Sequence, residues 1–413
     1  MLQSVVETFE RKGRAETPGT PHDLVSQMLD ELPPDIWRDP SKKFLDPACS
    51  TGTFVYEIVR RLLRGLTSEF PDLEARAAHI FGHMVYAAEL NYVPFKMTVR
   101  SLQRLFGKSL TFNIYHGNMV EGIEELKDMK FDVIAMNPPY QAPAKKEGER
   151  DNNSGKTLWN KFVEKSLTEW LADDGILCAV HPAGWRKPPS PRSSYAGLYD
   201  ALTKDAYMSR LEICGVKDGL KTFGAGTRYD WYVVHKDDSA RQSSTLVKDE
   251  KNEVHQIDLT NHDWLPNYAF TDVFGLIDTE DRTQVICDSS YHTQRKWNSK
   301  EQSTAFPHPL VHSTPQKENK FRYSSRTDKG HFSIPKVIFG ASGIGDVIVD
   351  DTGKYGMTEE AMGIPVQDKQ DALAAKEFLM GTKFTEILRA CSWSNFRVDW
   401  RLFSYFKKGF WRT

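Results

Sequence analysis

The stretch FDVIAMNPPYQ, residues 131–141, constrains this chain more than any other. An apolar strand containing Phe131, Val133, Ile134, Ala135 and Met136 runs straight into Asn137, Pro138, Pro139 and Tyr140. Proline lacks an N–H and fixes φ, so two in a row end the strand and stiffen the backbone just past it. Their carbonyls point outward as acceptors, and the Asn137 carboxamide oxygen is a further acceptor. Two neighbouring acceptors can bind both hydrogens of one –NH2 group, and Tyr140 adds a flat face. Together these describe a pocket for a planar group carrying an exocyclic amine. The alternative is a strand-ending Pro-Pro turn with a packed tyrosine.

The surrounding chain says what sheet holds that strand. Strands are expected at KKFLDPA, HIFGHMVYAAEL, LTFNIYHGN, KFDVIAMNPPY, GILCAVHPAGW, SRLEICGV and TRYDWYVVHK, the last alternating as a half-buried strand should. Helical spacing marks TFVYEIVRRLLRGL, PFKMTVRSLQRLF and LWNKFVEKSLTEWL between them. Strands alternating with helices predict an α/β fold with a doubly wound, seven-stranded, mainly parallel sheet. Ligands of such sheets bind at the carboxyl ends of strands, near the switch in strand order. The texture changes after residue 236. We therefore expect one domain over 1–236 and a second, mixed α+β, over 237–413.

FLDPACSTGTF, residues 44–54, is an apolar strand that ends in Asp-Pro, turns through small residues and opens a helix. It suits close backbone approach by a nucleotide-like ligand, although an ordinary βα turn reads the same way. It is neither a P-loop nor G-x-G-x-x-G. Glu89, one βα unit later, can accept hydrogen bonds from both ribose hydroxyls, or is simply a surface acid. The polar segment 141–157 reads as a mobile loop directly after the Pro-Pro turn.

Residues 291–336 carry Arg295, Lys296, Lys300, Lys317, Lys320, Arg322, Arg326, Lys329 and Lys336, opposed only by Glu301, Glu318 and Asp328. Aromatic residues are interleaved. The stretch is the best candidate for nucleic-acid contact, or else a solvated irregular surface. The aromatic, basic tail SWSNFRVDWRLFSYFKKGFWRT docks on the core or on a partner.

Composition excludes little. The net charge of −2 does not advertise a polyanion partner, and a local patch suffices for nucleic acid. The five cysteines form no C-x-x-C pair, so buried thiols are expected and no metal site. No run of about 18 apolar residues is present, so no membrane helix is expected. The N-terminus lacks the apolar core of a signal peptide, and the cytoplasm is the expected compartment.

The motifs taken together carry a resemblance. DPACSTGTF resembles motif I, and NPPY motif IV, of S-adenosylmethionine-dependent amino-methyltransferases. TPHDLVSQMLDEL, residues 20–32, resembles their N-terminal motif, in which Thr-Pro precedes a helix that covers the cofactor. This order is similar to the gamma class of DNA adenine-N6 methyltransferases of restriction–modification systems, over about residues 17–236. The resemblance implies that Thr20 sits near the methionine end of the cofactor. Asp46, Ala48 and Gly52 would line its methionine and sugar side, and Glu89 would hold the ribose. Asn118 stands where the family usually has an aspartate facing the adenine. Ser50-Thr51 stands where Gly-Ser is common, which implies a tighter loop. Asn137 and the Pro138 carbonyl would bind the target amine, with Pro139 stiffening the turn, and Tyr140 and Phe223 would pack on the base.

The implied partner is double-stranded DNA, with the target base flipped out and Arg322 and Arg326 on the DNA side. A monomer or weak dimer is expected, and a separate cognate restriction endonuclease is a further implied partner. No acid cluster followed by E-x-K suggests a fused nuclease. Related NPPY enzymes that modify RNA or a protein glutamine, and a non-catalytic binding subunit, are the alternatives. The roughly 175 residues after the last core strand favour DNA.

Overall fold

The structure is a computed structural model that describes residues 19–141, 157–190, 193–237, 244–393 and 398–412. The expected loop after NPPY lies outside the described residues except for its ends. There Gln141 pairs with Thr157 as a single bridge, and the Leu158 N–H donates to the Tyr140 carbonyl at 3.1 Å.

The described residues form two compact units. The first comprises 1–185 and 189–263, and the second 186–188 and 264–413. The first is built on β1 Phe44–Asp46, β2 Val85–Glu89, β3 Asn113–His116, β4 Phe131–Met136, β5 Leu171–Pro182, β6 Tyr207–Cys214 and β7 Tyr229–His235, followed by β8 Thr245–Lys248 and β9 Val254–Ile257. They join one sheet in the order β3-β2-β1-β4-β5-β7-β6-β8-β9. Strands β1 to β5 pair in parallel, while β7 runs antiparallel between β5 and β6. The α/β class and the seven expected strands are present. The sheet is extended by the hairpin β8–β9, which pairs onto β6. That hairpin carries the first unit to Asp263, beyond the expected boundary at 236.

Three local differences have physical causes. HIFGHMVYAAEL is strand only from Val85. Ile80–Met84 instead forms a wide helical turn, with Ile80, Phe81 and Met84 all buried at helical spacing. Strand β7 is buried from Tyr229 to Val234 rather than on alternate residues, because both faces are packed: Tyr229, Trp231 and Val233 join the main core, while Tyr232 meets His181 and Trp185. Its Asp230 is buried too, and accepts a 2.8 Å hydrogen bond from the Trp185 indole N–H. Finally, Lys336 is no surface cation: it is buried and paired with Asp350 at 2.7 Å.

Helices position the sheet's carboxyl edge. Helix α1, His22–Asp30, buries Leu24, Val25, Met28 and Leu29 on one stripe. Helix α2, Thr53–Gly65, buries Phe54, Val55, Ile58, Val59, Leu62 and Leu63. These pack with Phe44, Val133, Ala135, Ile176, Val180, Trp231 and Val233 into one core. Each fully buried large apolar side chain contributes about 1.5–3 kcal/mol, so this core fixes where α1 and α2 begin.

The second unit holds two small sheets. One orders β10 Asn298–Ser299, β12 Lys320–Ser324, β11 His308–Ser313 and β15 Gly356–Met357. The other orders β14 Ile348–Asp350, β13 Lys336–Gly340 and β16 Ala361–Pro365. The tail packs into this unit's own core, where Phe403, Phe406 and Phe410 cluster about Phe384.

Candidate active site

The strand order turns back at β1 and β4: β1 continues to β2 on one side and pairs with β4 on the other. Their parallel register matches Leu45 with Ile134, so Asp46 and Asn137 leave neighbouring strands at the same edge of the sheet. Here the sequence's two motifs meet, as switch-point geometry requires. A cavity of about 1410 Å³ opens at this edge.

Thr20, Asp46, Ala48, Asn137, Pro138, Pro139, Tyr140 and Phe223 all line it. Eight of the residues singled out in the sequence are thus brought together across more than 200 positions of chain. Sequence reasoning missed Cys49, Tyr56, Met97 and Ser101, which also line it, as does Thr51 of the Ser50-Thr51 pair. Helical spacing places Met97 and Ser101 on one face of α4, Tyr92–Phe106, counting Leu73–His79 as α3. Nothing local says that this face meets the cavity.

Among the described residues, three buried polar atoms in the lining have no hydrogen-bond partner: Thr51 Oγ1, Asn137 Oδ1 and the Tyr140 hydroxyl. Buried polar groups are almost always paired, so orphans concentrated on one cavity mark a place for a polar ligand. The other end of the Asn137 carboxamide faces Thr20, with Nδ2–H donating to Thr20 Oγ1 at 2.9 Å. Burial pushes the Tyr140 phenol above its ordinary pKa, so it remains a neutral ring.

Asp46 is buried and accepts one hydrogen bond, from the Ala48 N–H at 3.2 Å. Burial raises its pKa to about 8, the Ala48 bond opposes this, and the Glu89 charge adds to it. Among the described residues no cation pairs with this carboxyl.

The loop from β1 to α2 is tight. Gly52 has φ +90°, and a Cβ there would stand 2.9 Å from Thr98 Cγ2. Ser50 occupies the left-handed region at φ +48°, which glycine prefers. Its N–H donates to Glu89 at 2.8 Å and its carbonyl accepts from the Thr98 hydroxyl at 3.0 Å, which hold it there.

Three expected residues do not line the cavity among the described residues. Gly52 shapes the loop instead. Glu89 accepts from Ser50 N–H, Asn91 N–H at 2.7 Å and Asn91 Nδ2 at 2.9 Å. Asn118 turns its side-chain oxygen to the Val120 N–H at 3.1 Å. In the second unit, Arg322 is held by Asn298 Oδ1 at 2.7 Å, and Arg326 pairs with Asp328. Arg326 and Lys329 both lie over the Trp297 ring, at 5.2 and 5.9 Å from its centroid.

Comparison with known proteins shows what the chain resembles. Residues 86–211 match the sequence model of the Eco57I restriction-modification methylase family. An uncharacterized adenine-specific methylase of Mycoplasma pneumoniae is 26% identical, over 47% of this chain and 61% of that protein. The modification methylase CviBIII of Paramecium bursaria Chlorella virus NC1A is 24% identical, over 43% of this chain and 40% of its own. The chain therefore spans less than two-thirds of the length of both curated relatives. A nuclease-deletion mutant of the Type ISP restriction-modification enzyme LlaGI, in complex with a DNA substrate mimic, shares the fold. Its TM-score is 0.54 at 14% identity, covering 98% of this chain and 46% of that one. The DrdV–DNA complex does so at 0.51 and 12% identity, covering 95% and 54%. The resemblance to restriction–modification adenine methylases, read from the motifs, is shown by the family match and these relatives.

Proposed function

We propose that this protein transfers a methyl group from S-adenosylmethionine to the N6 amine of adenine in duplex DNA. One observation carries the reading: Asn137, with an unpartnered buried acceptor oxygen, shares a cavity with Thr20, Asp46 and the β1–α2 loop. The adenine-specific and modification methylases among the relatives support it.

The residues present suit that cofactor. Asp46 is a buried carboxyl in want of a cation, and Thr51 Oγ1 is an unpartnered hydroxyl. Thr20, Asp46 and Ala48 hold the methionine and sugar side. Glu89 uses three of the roughly four acceptor positions of a carboxylate on the loop, leaving capacity for the ribose. S-adenosylmethionine supplies an activated methyl group when bound.

The protein's part is orientation and electrostatics. An adenine amine inside a duplex is paired and stacked, so the target base leaves the helix. Asn137 Oδ1 and the Pro138 carbonyl accept its two hydrogens, which localises the nitrogen lone pair. Pro139 keeps those acceptors rigid, and Tyr140 and Phe223 flank the base. As the new N–C bond formed and the methyl–sulfur bond broke to leave a neutral thioether, Asn137 Oδ1 and the Pro138 carbonyl would stabilise the positive charge growing on the amine, which would then give up one proton to solvent. Rate comes largely from holding the reactants in line. The second unit reads the duplex, with the basic surface about Trp297 on the phosphates. A separate nuclease partner and a monomeric or weakly dimeric state complete the reading.

The test is transfer of label from S-adenosylmethionine to DNA, RNA and protein offered separately. Modified adenines in duplex DNA at a fixed sequence are the expected product. Label in RNA or protein alone would overturn the assignment.

A further inference from the structure

A carboxamide has two ends of nearly equal size and opposite chemistry. For Asn137 the difference decides function. With Oδ1 toward the target it accepts a hydrogen from the amine. With Nδ2 there, two –NH2 groups face each other and the site repels its substrate. The strand and the two prolines fix where the Asn137 side chain leaves the backbone, and neither tells oxygen from nitrogen.

The group that does is Thr20. It lies 117 positions away in sequence, is buried, and stands 2.9 Å from Asn137 Nδ2. It is held firmly. Pro21 precedes α1, whose Leu24, Val25, Met28 and Leu29 are buried, and His22 reaches Glu57 of α2 at 3.1 Å. A hydroxyl can accept or donate, so Thr20 alone permits either orientation of the amide. The choice is made when its own proton is used elsewhere. Thr20 lines the same cavity as Asp46, Ala48 and Thr51. A bound acceptor there, such as the carboxylate of an amino-acid-like cofactor, takes the hydroxyl proton. Thr20 Oγ1 is then only an acceptor, Nδ2 must face it, and Oδ1 is left for the target amine.

We propose that Thr20 is a positioning residue through which an occupied cofactor site sets the Asn137 carboxamide to recognise an amine. This inference rests on the methyltransferase reading above. It adds a coupling between cofactor and target: the amine is distinguished from hydrogen at the same ring position only when the cofactor site is filled.

The test uses the full chain and two duplexes carrying the mapped methylation site, one with adenine and one with purine, which lacks the amine, at the target position. Affinities are measured with and without saturating S-adenosylhomocysteine, which keeps the carboxylate and cannot transfer methyl. The adenine-to-purine affinity ratio is compared between proteins, so the DNA's own cost of base extrusion cancels. In the wild type the ratio rises about tenfold on adding the cofactor product, the worth of one well-made hydrogen bond. Thr20→Val abolishes that rise, and Thr20→Ser, which restores the hydroxyl, recovers it. In turnover, Thr20→Val lowers kcat at least tenfold with KM for DNA changed less than threefold. A full tenfold rise in Thr20→Val, or its loss in Thr20→Ser as well, overturns the assignment of Thr20 alone. Absence of wild-type transfer to DNA overturns the parent reading, and this inference with it.

Discussion

Asn137 carries the proposed chemistry at the residue scale. Its Nδ2 donates to Thr20, and its Oδ1 is buried with nothing to bond among the described residues. Replacing Asn137 by Ala removes the acceptor and leaves the loop around Asp46 and Ser50 untouched. Methyl transfer should fall at least 100-fold, as when a single oxyanion-hole donor is lost, with cofactor affinity changed less than threefold. Turnover within tenfold of wild type would refute the role of Asn137.

Asp46 yields a prediction of a different kind. Its folded pKa, about 8, lies above the ordinary value of 3.8, so folding takes up a proton between those limits. The sign follows: this group's contribution to stability is greatest below about pH 4 and is lost as pH rises through 8. Asp46→Asn should flatten that decline in a series of melting curves. A cation placed beside the carboxyl favours its charged form. Binding of S-adenosylmethionine at pH 7 should therefore release a proton. Calorimetry in two buffers of different ionisation enthalpy reads this directly, and equal heats in both buffers would show that Asp46 stays neutral.

At the scale of elements, the β1–α2 loop combines strain with its remedy. Ser50 sits where glycine is easier, and its backbone is tied down by Glu89 and Thr98. Ser50→Gly should raise stability by about 1 kcal/mol in chemical denaturation, because the left-handed penalty disappears. A fall in stability would mean that the serine side chain contributes more to the folded loop than its left-handed backbone costs. At the departure Ser50-Thr51 the structure shows this positive φ and the unpartnered Thr51 hydroxyl. Strands and helices were legible wherever apolar periodicity was local. The wide turn Ile80–Met84 was not, because buried residues in a short apolar run fit strand and helix alike.

For the molecule as a whole, charge and burial separate two kinds of basic residue in the second unit. Lys336 is buried against Asp350, so Lys336→Met should cost about 3–5 kcal/mol by leaving a buried carboxylate unpaired. Unfolding by urea measures it, and a cost below about 1 kcal/mol would mean that Asp350 is reached by water. Lys296, Arg326 and Lys329 lie about Trp297, and Arg326 and Lys329 reach its ring. Reversing Lys296 and Lys329 to Glu should weaken DNA retention and flatten its salt dependence without shifting the melting temperature. An unchanged salt slope would remove that surface from the interface. The basic stretch 291–336 thus divides by burial, which composition could not reveal.

The sequence by itself determined the α/β class, the strand that delivers Asn137 and the loop that follows Asp46. Both motifs are continuous, and their chemistry follows from proline, glycine and apolar spacing. Tertiary structure alone decided the rest. It brought Thr20 within hydrogen-bonding distance of Asn137, turned Glu89 and Asn118 toward backbone N–H groups, and carried the sheet on to Ile257. These outcomes depend on which surfaces meet when strands of distant sequence pair, and on which polar groups that pairing leaves without water.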